Sequence, residues 1–281
     1  MVDTNDAWIR ERTGVEKRHI AESESTVSMA VEAGRRALAQ TGIRPEELDM
    51  IVVSTMSPDA VLPCTACEVQ KAIGAEGAVC FDLQAACTGF VFAYNTAQAY
   101  IQSNMCRTVL LIGSERLSSL VDWTDRGTCI LFGDGAGAAV LKAAEGRAYL
   151  PVSHSDGKKG EALTCDRYIH MDGRAVFQFA VTRVPEVIRE VLTKNELLMD
   201  DIDYFVLHQA NRRIVEAVAK RLRQPIEKFP MNLQEYGNTS SASIPILLDE
   251  MNRSGKLKKG QKLVVAGFGA GLSWGASIVE W

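Results

Sequence analysis

Three residues of this chain have side-chain types that could carry out chemistry at a carbonyl carbon, and the first is Cys87. It lies in the segment LQAACTGF, after a predicted strand and at the start of a predicted helix. The helix dipole and the free backbone N–H groups there favour the thiolate, which is the reactive form of cysteine. The small residues Ala85, Ala86 and Gly89 leave room for a substrate. A buried, inert cysteine is the alternative interpretation.

The second and third residues are His208 and Asn238. His208 ends a predicted strand in VLHQANRRI, and α/β proteins normally bind ligands at that end of a strand. Asn238 lies in YGNTSSAS, a loop before a helix of small residues. Taken singly, a structural histidine and a helix-capping asparagine explain both. Together with Cys87 they fit acyl transfer followed by carbanion chemistry, because neutral N–H donors stabilise an enolate. A hydrolase that uses the same residue types as base and orienter is a further alternative.

The elements around these residues predict a layered α/β protein. Short β-branched runs alternate with helical patterns, which is typical of buried strands covered by helices. The predicted strands are Met50–Thr55, Ala78–Leu83, Thr108–Gly113, Gly137–Leu141, Tyr204–His208, Lys262–Ala266 and Ser277–Glu280. The predicted helices are Val27–Gln40, Gly89–Ser103, Val184–Thr193 and Arg212–Leu222.

The two halves of the chain also resemble each other. GIRPEELD leads to the strand MIVVST in the first half, NELLMDDID leads to YFVLHQ in the second, and Asp49 aligns with Asp203. A repeat this long does not fit a solenoid. It predicts two duplicated α/β subdomains, residues 1–147 and 148–281, with equivalent loops meeting at their interface. On this alignment His208 matches Thr55 and Asn238 matches Cys87, so we expect the three site residues to converge.

The composition argues against several other classes of protein. The formal net charge of the 281 residues is −4, so no positive field points to nucleic acid. The seven cysteines are an odd number, and Cys64–Cys67 is a C-x-x-C without a second pair, which favours reduced thiols. No segment has the pattern of a signal peptide, and no apolar run reaches the roughly 20 residues that span a bilayer. We therefore expect a cytoplasmic protein that uses no metal and binds neither membrane nor nucleic acid.

With these segments in place, the chain resembles the β-ketoacyl-acyl-carrier-protein synthase III family of thiolase-fold condensing enzymes. The motifs HQAN and GNTSSAS separate this family from thiolases and from elongating synthases with a Cys/His/His site. The resemblance implies duplicated α/β halves in an α-β-α-β-α arrangement, and a homodimer. The matching segments cover nearly the whole chain: DTNDAWIRERTGVEKRHIA, DLQAACTGF, DRGTCILFGDGAGAAVL, YIHMDGRAVFQFAV, LHQANRRI, YGNTSSASIP and GFGAGLSWG.

The resemblance also implies a reaction and a role for each site residue. An acyl-CoA primer, typically acetyl-CoA, would acylate Cys87, and malonyl-acyl-carrier protein, decarboxylated beside His208 and Asn238, would attack the acyl-enzyme without any cofactor. The backbone N–H groups of Cys87 and Ala270 would form the oxyanion hole. The implied CoA-binding residues are Trp8, Arg12, Arg126 and Asn211. The residues implied to dock the acidic carrier protein are Arg212, Arg213, Lys220 and Arg221. The residues implied to shape the primer pocket are Phe268 and, from the partner subunit, Leu62.

Several of these expectations have plainer alternatives. Trp8 can simply anchor the N-terminal segment, Arg126 can be a turn residue, and the basic run after His208 can be a solvated helix face. The segment GDGAG resembles a phosphate loop but lacks the following Lys-Ser/Thr, so a tight turn before a strand is expected. Compared with the family, the chain lacks a strand ahead of DTNDAW and is shorter between Gly157 and Tyr168, so we expect the first half to miss a central strand.

Two other functions remain open at this point. One is a secondary-metabolite synthase of the same fold, which would use an aromatic or branched acyl-CoA. The other is a non-catalytic acyl-binding descendant of the enzyme, against which the presence of Cys87, His208 and Asn238 argues.

Overall fold

The first half of the chain forms a four-stranded sheet with helices on both faces. The computed structural model describes residues 2–281. The strands of the first half are β1 (Met50–Ser54), β2 (Val79–Leu83), β3 (Thr108–Glu115) and β4 (Gly135–Lys142). Its helices are α1 (Asp6–Thr13), α2 (Thr26–Thr41), α3 (Thr65–Ile73) and α4 (Gly89–Gln102). The sheet order is β2-β1-β3-β4, with β4 antiparallel to the others.

The second half repeats this plan. Its strands are β5 (Val152–Ser155), β6 (Leu163–Cys165), β7 (Ile169–Met171), β8 (Tyr204–Leu207), β9 (Lys262–Gly269) and β10 (Ser273–Glu280). Its helices are α5 (Gly173–Lys194), α6 (Arg212–Leu222), α7 (Leu233–Tyr236) and α8 (Ser243–Arg253). The main sheet has the order β5-β10-β9-β8, and β6 and β7 form a separate hairpin.

The apolar residues of the two sheets divide the molecule into five layers. Along β1, Met50 and Val52 face a core that also contains α4, α8 and strands of both sheets. Their neighbours Ile51 and Val53 face the outer core under α2 and α3, because successive residues of a strand point to opposite faces. The outer face of the second sheet is covered by α5 and α6. The predicted α-β-α-β-α arrangement of a thiolase-like fold is therefore confirmed.

The internal repeat is visible in the backbone hydrogen bonds. Asp49 Oδ2 accepts the N–H groups of Arg107 and Thr108 at 2.7 and 2.9 Å, and Asp203 Oδ2 accepts that of Lys262 at 2.8 Å. Asp49 thus fixes the start of β3, which pairs with β1. Asp203 fixes the start of β9, which pairs with β8 in the same way. The strand registers agree with this alignment, since β1–β3 and β8–β9 begin their pairing at equivalent positions.

This register corrects two sequence predictions. His208 matches Ser54 rather than Thr55, because Asp203 lies as far before His208 as Asp49 lies before Ser54. The counterpart of Cys87 is Ser241, not Asn238. Each of these two residues follows a residue with positive φ: Ala86 at 45° and Ser240 at 50°. In addition, the equivalent glycines Gly113 and Gly267 pack against the carbonyls of Ser241 and Cys87.

The predicted elements differ from the observed ones mainly at their ends and in the short pieces. Helix α5 begins at Gly173, well before the predicted Val184. The elements that were not anticipated are α1, α3, β5, α7 and the β6–β7 hairpin. The first two residues of GDGAG precede β4 and the last three already belong to it, so the motif is mostly strand where a tight turn was expected. In the main sheet of the second half, the strand without a counterpart is β5, which lies at the edge of the sheet beside β10. Relative to the second half, the first half therefore lacks an edge strand and not the central strand that was expected.

Phe205 is expected to be one of the most sensitive core positions. Its side chain is buried in β8, and its ring stacks on that of Phe229 with centroids 4.8 Å apart. Phe205→Ala should lower the free energy of unfolding by about 3–5 kcal/mol, because a large cavity is left in a close-packed layer. Urea unfolding followed by circular dichroism measures this. Leu198→Ala, at a side chain that is 73% exposed, is the control and should change little.

Candidate active site

Cys87 lies in the turn Ala86–Thr88, between β2 and α4, and we call this segment the Cys87 turn. The turn is tied to the second half of the molecule, because the Thr88 hydroxyl lies 2.9 Å from the Ser273 hydroxyl at the start of β10. The thiol is buried, and burial raises its pKa to about 12. The resting form is therefore the thiol, contrary to the expectation that the helix terminus favours the thiolate.

The pKa of Cys87 predicts how its reactivity depends on pH. The thiolate is the reacting form, so iodoacetamide should modify Cys87 about tenfold faster for each pH unit, from about pH 7 to about pH 10. No plateau is expected there, because the pKa is about 12 instead of the ordinary 9.0. Peptide mass spectrometry of the modified residue measures the rate, with Cys87→Ala as the blank. A plateau at or below pH 9 would show that the folded protein stabilises the thiolate.

The end of β9 passes directly over Cys87. A Cβ atom built on Gly269 would lie 2.9 Å from the Cys87 Cβ and 3.0 Å from its backbone nitrogen, so only glycine fits here without a shift of the backbone. The next residue is Ala270. The backbone that follows β9 is therefore held beside the backbone of Cys87, as an oxyanion hole built from both residues requires.

His208 follows β8 and is almost completely buried. Burial lowers its pKa to about 3, so the imidazole is neutral. Its Nδ1 lies 2.7 Å from the Ser243 hydroxyl, which accepts the Gln209 N–H at 3.3 Å. The proton of Ser243 is then available to Nδ1, and the ring proton remains on Nε2. The ring of Phe268 packs edge-on against that of His208, with centroids 5.1 Å apart.

The loop that carries Asn238 is held by backbone contacts on both sides. Asn238 donates its N–H to the Leu131 carbonyl at 2.9 Å and accepts that of Gly133 at 3.0 Å. Gly237 has a φ of 68° and has the Leu131 carbonyl against it, so a side chain is excluded there. The Asn238 Oδ1 accepts the Ser240 N–H at 2.9 Å. This contact turns the amide so that Nδ2 is the group left to donate to a substrate.

The three candidate residues lie at the interface between the halves, with Cys87 and His208 beside β9 and Asn238 ahead of a turn that contacts the Cys87 turn. His208 donates its backbone N–H to Ala266 of β9 at 2.9 Å, and Gly267 and Gly269 of the same strand pack against Cys87. The turn Ser240–Ala242, which follows Asn238 and which we call the 240–242 turn, contacts the Cys87 turn. The structure therefore places a thiol, a neutral imidazole and an amide on neighbouring segments.

The residues expected to bind CoA form two pairs. The Arg126 guanidinium lies over the Trp8 ring, 5.0 Å from its centroid, and also donates to the Asp3 carbonyl at 3.0 Å. The Asn211 amide donates to the Arg12 carbonyl at 3.2 Å, and its Oδ1 caps α6. Each pair joins residues distant in sequence.

The basic residues of α6 differ in their exposure. Arg213, Lys220 and Arg221 are exposed. Arg212 is half-buried and donates to the Arg10 carbonyl at 3.0 Å, so it connects α6 to α1. Arg212 therefore has a structural contact in addition to the docking role that the resemblance implies.

Leu62 lies apart from the other predicted pocket residue. It is 82% exposed, in the loop before α3, whereas Phe268 is buried against His208. The nearby strand β2 lies at the edge of the first sheet and pairs with β1 along one side.

Three residues that support the site were not expected from the sequence: Glu115, Ser241 and Ser243. Ser243 orients His208, and Glu115 and Ser241 form a buried contact next to Cys87. Only Glu115 could have been noticed in the sequence, because it is an acidic residue at the end of the mostly apolar strand TVLLIGSE.

Comparison with known proteins identifies the family. Residues 81–157 match the family model "3-Oxoacyl-[acyl-carrier-protein (ACP)] synthase III", and residues 192–281 match the model of its C-terminal part. A curated relative from Clostridium novyi (strain NT), named beta-ketoacyl-[acyl-carrier-protein] synthase III, is 47% identical, and the alignment covers 100% of this chain and 92% of the relative. The chain belongs to the β-ketoacyl-acyl-carrier-protein synthase III family. It is accordingly a transferase.

Solved structures of this synthase family agree with the fold. The 3-oxoacyl-[acyl-carrier-protein] synthase III from Aquifex aeolicus VF5 superposes with a TM-score of 0.97 at 44% identity, covering 100% of this chain and 92% of that one. The priming β-ketosynthase from the R1128 polyketide biosynthetic pathway has a TM-score of 0.95 at 37% identity, covering 99% and 89%.

The alignment with a relative also shows a difference in length, and the helices can be compared with what a membrane span requires. The alignment with the Clostridium novyi synthase extends over 298 positions, more than the 281 residues of this chain, so the relative contains residues that are absent here within the aligned region. Within residues 2–281, none of the helices has both the length and the apolarity that crossing a bilayer requires.

Proposed function

We propose that the protein condenses an acyl group from an acyl-CoA primer with malonyl-acyl-carrier protein and so initiates fatty-acid synthesis. The observation that carries the proposal is the arrangement at the interface between the halves. There a buried thiol and two neutral N–H donors, those of His208 and Asn238, lie on neighbouring segments. Acetyl-CoA is the primer we propose.

In the first step, the Cys87 sulfur attacks the thioester carbonyl and a tetrahedral oxyanion forms. The backbone N–H groups of Cys87 and Ala270 stabilise this oxyanion. The carbon–sulfur bond to CoA then breaks, and the proton from the Cys87 thiol ends on the sulfur of the released CoA. The exchange of one thioester for another is nearly balanced in free energy.

In the second step, malonyl-acyl-carrier protein loses CO2 and its thioester becomes an enolate. The negative charge lies on the thioester oxygen, where His208 Nε2–H and Asn238 Nδ2–H donate to it. The enolate carbon attacks the acyl group on Cys87, and the sulfur leaves and takes up a proton. The product is a 3-oxoacyl-acyl-carrier protein. Both steps proceed without a metal or another cofactor.

The contacts of the two donors support their assignment. Ser243 occupies Nδ1 of His208, and Ser240 occupies Oδ1 of Asn238, so the remaining groups on both side chains are N–H donors. A general base at His208 would need a higher pKa than about 3. We therefore assign to His208 the stabilisation of negative charge and no general-base role.

For substrate binding, we propose that the CoA adenine inserts between Trp8 and Arg126. The Arg126 guanidinium must then move off the Trp8 ring to admit the base. Arg12 lies near the CoA phosphates and Asn211 along the pantetheine arm. Both assignments follow from the family resemblance, and the contact between the two residues at the start of α6 places them side by side.

Trp8→Ala should raise the KM for acyl-CoA by about 5–150-fold and leave kcat nearly unchanged, because stacking of a base on an aromatic ring contributes about 1–3 kcal/mol. Initial rates at varied acyl-CoA measure this. The matched control is Trp123→Ala, since Trp123 is also half-exposed and stacked by an arginine, Arg18. Equal effects of the two substitutions would remove Trp8 from the CoA site.

We also propose two protein partners. The acidic acyl carrier protein docks on the exposed basic face of α6, through Arg213, Lys220 and Arg221, with Arg212 at its border. A second copy of the chain pairs along the open edge of β2 and brings its Leu62 to the primer pocket beside Phe268. The exposure of Leu62 supports this assignment.

We place the enzyme in the cytoplasm. All seven cysteines are free, which fits a reducing compartment.

A second candidate function is the priming of a polyketide pathway. The similarity to the R1128 priming β-ketosynthase favours it, because that protein is 37% identical over nearly the whole chain. Such an enzyme would use the same Cys87, His208 and Asn238 with a different acyl-CoA. The two candidate functions therefore differ only in which acyl group the primer pocket accepts.

The test is a panel of acyl-CoA thioesters offered to the protein, with intact mass recorded before and after malonyl-acyl-carrier protein is added. Acetyl labelling that is discharged as a 3-oxoacyl product is the expected result. Labelling by longer or aromatic thioesters in preference to acetyl-CoA would favour the second candidate. A folded protein that no thioester labels would contradict both.

A further inference from the structure

Glu115 is a buried carboxyl group next to the active site that the proposed reaction does not use. It ends β3 and is 0% exposed. Its Oε2 accepts hydrogen bonds from the Met56 N–H at 3.0 Å, the Ser57 hydroxyl at 2.8 Å and the Thr55 hydroxyl at 3.2 Å. All three donors belong to the loop that follows β1.

The other carboxyl oxygen contacts the second half of the molecule. Oε1 lies 2.8 Å from the Ser241 hydroxyl, which in turn lies 2.9 Å from the Ser54 carbonyl oxygen. A hydroxyl group has one proton, and a carbonyl oxygen can only accept. When Ser241 donates to Ser54, the short contact with Glu115 is satisfied if the carboxyl group supplies its own proton at Oε1.

The neighbouring hydroxyl groups fit the same assignment. The Thr55 hydroxyl accepts the Ser57 N–H at 3.1 Å, and the Ser57 hydroxyl accepts the Arg116 N–H at 2.9 Å. Both hydroxyls therefore direct their own protons to Oε2 of Glu115. With Glu115 protonated, the hydroxyl protons of Thr55, Ser57 and Ser241 each have one acceptor. Burial also raises the pKa of Glu115, which favours the neutral form.

By the internal repeat, the contact between Glu115 and Ser241 corresponds to the contact between Gly269 and Cys87. Ser241 is the counterpart of Cys87, and Glu115 holds the position on β3 that Gly269 holds on β9. Gly269 has no side chain, and its backbone packs directly against Cys87. At the equivalent place in the other half, Glu115 carries a carboxyl group that contacts Ser241. The two equivalent contacts therefore differ in one side chain, which only the contact without Cys87 contains.

We propose that Glu115 is a positioning residue for the condensation step, and that it acts as an uncharged carboxylic acid that holds the 240–242 turn against the loop after β1. The proposal rests on the proposed function. One hydrogen bond connects the turn to a residue of the proposed reaction, because Ser240 of that turn donates its backbone N–H to Oδ1 of Asn238. The position of the turn therefore sets the direction of the Asn238 Nδ2–H that meets the enolate.

The absence of charge on Glu115 also matters to the nucleophile. A carboxylate at this position raises the pKa of Cys87 and so opposes its reaction. The loop after β1 and the 240–242 turn present hydroxyl and peptide groups to Glu115, and Cys87 is the titratable group that interacts with it from the neighbouring turn. Arg116 follows Glu115 in the chain and contributes its backbone N–H to Ser57.

Glu115→Gln and Glu115→Ala test the proposal as a pair. Glutamine has the shape of the neutral acid and keeps a donor for Ser241 and an acceptor for the loop after β1. It should keep condensation within about threefold of wild type. Alanine should lower condensation about 100-fold while acylation of Cys87 by acyl-CoA falls less than about tenfold, because only the second step uses Asn238.

The pH dependence of Cys87 alkylation reports the charge on Glu115 directly. An uncharged Glu115 predicts profiles that superimpose for wild type and Glu115→Gln. A profile of the glutamine variant shifted to lower pH would show that a negative charge had been removed, and would overturn the proposal. Equal losses of condensation in the glutamine and alanine variants, or equal losses of both steps in the alanine variant, would also overturn it.

Ser241→Ala provides a second route where Glu115→Ala fails to fold. It removes the partner of Oε1 and leaves the three bonds to Oε2 in place. Condensation should again fall more than acylation, with the fold checked by circular dichroism and thermal unfolding. A wild-type protein that forms no acyl-enzyme would contradict the proposed function instead, while the alkylation comparison would still report the charge on Glu115.

Discussion

Cys87→Ala is expected to abolish acylation of the protein by acyl-CoA and to lower the rate of condensation by roughly 10⁴-fold or more. The sulfur of Cys87 forms the covalent bond in both steps, and alanine offers no atom that can replace it. Intact mass spectrometry measures the acyl group on the protein, and a coupled assay of the 3-oxoacyl product measures the overall rate.

The other cysteines provide the control for this prediction. Cys165→Ala removes an exposed thiol outside the proposed site and should leave both acylation and condensation unchanged. Acylation that persists in Cys87→Ala and disappears in Cys165→Ala would assign the label to a surface thiol. Cys87 would then lose its proposed role.

Asn238→Asp is expected to lower condensation by about 10²–10³-fold while acylation of Cys87 is nearly retained. The substitution keeps Oδ1, which accepts the Ser240 N–H, and so keeps the loop in place. It replaces the Nδ2–H donor by an oxygen that repels the enolate. His208→Ala should have an effect of similar size, since it removes the other donor. Rapid-quench measurement of each step separates the two rates.

A histidine outside the site supplies the matched control. His154→Ala, at a half-exposed residue of β5 that contacts Glu190, should leave both steps near their wild-type rates. Equal losses of acylation and condensation in Asn238→Asp would contradict the assignment. Asn238 would then be required for the shape of the Cys87 site and not for the enolate.

For each of the three buried ionisable groups of the proposed site, burial shifts the pKa toward the uncharged form. Burial raises the pKa of Cys87 and of Glu115 and lowers that of His208. In the proposed reaction, negative charge then arises on the thiolate, the oxyanion and the enolate only while the reaction proceeds. Fixed N–H donors in such a dry environment stabilise transient charge more strongly than water does.

The sequence alone was sufficient for the fold class and for the three candidate residues. Strand and helix patterns are local, and the repeat marked by Asp49 and Asp203 predicted that loops of the two halves meet. The segments around Cys87, His208 and Asn238 predicted the family, which the comparisons confirm. Each of these inferences needs only residues that are close together in the chain.

Only the tertiary structure showed that Ser241 is the counterpart of Cys87, that the Ser243 hydroxyl contacts Nδ1 of His208 and that Glu115 contacts Ser241. Glu115 and Ser241 are 126 positions apart, and no periodicity relates their side chains. The charge state of Cys87 was predicted wrongly for the same reason. The helix terminus is visible in the sequence, but the burial that outweighs it comes from β9 and β10, which follow much later in the chain. Burial and buried hydrogen bonds are properties of packed neighbours, and packing between the two halves decided both.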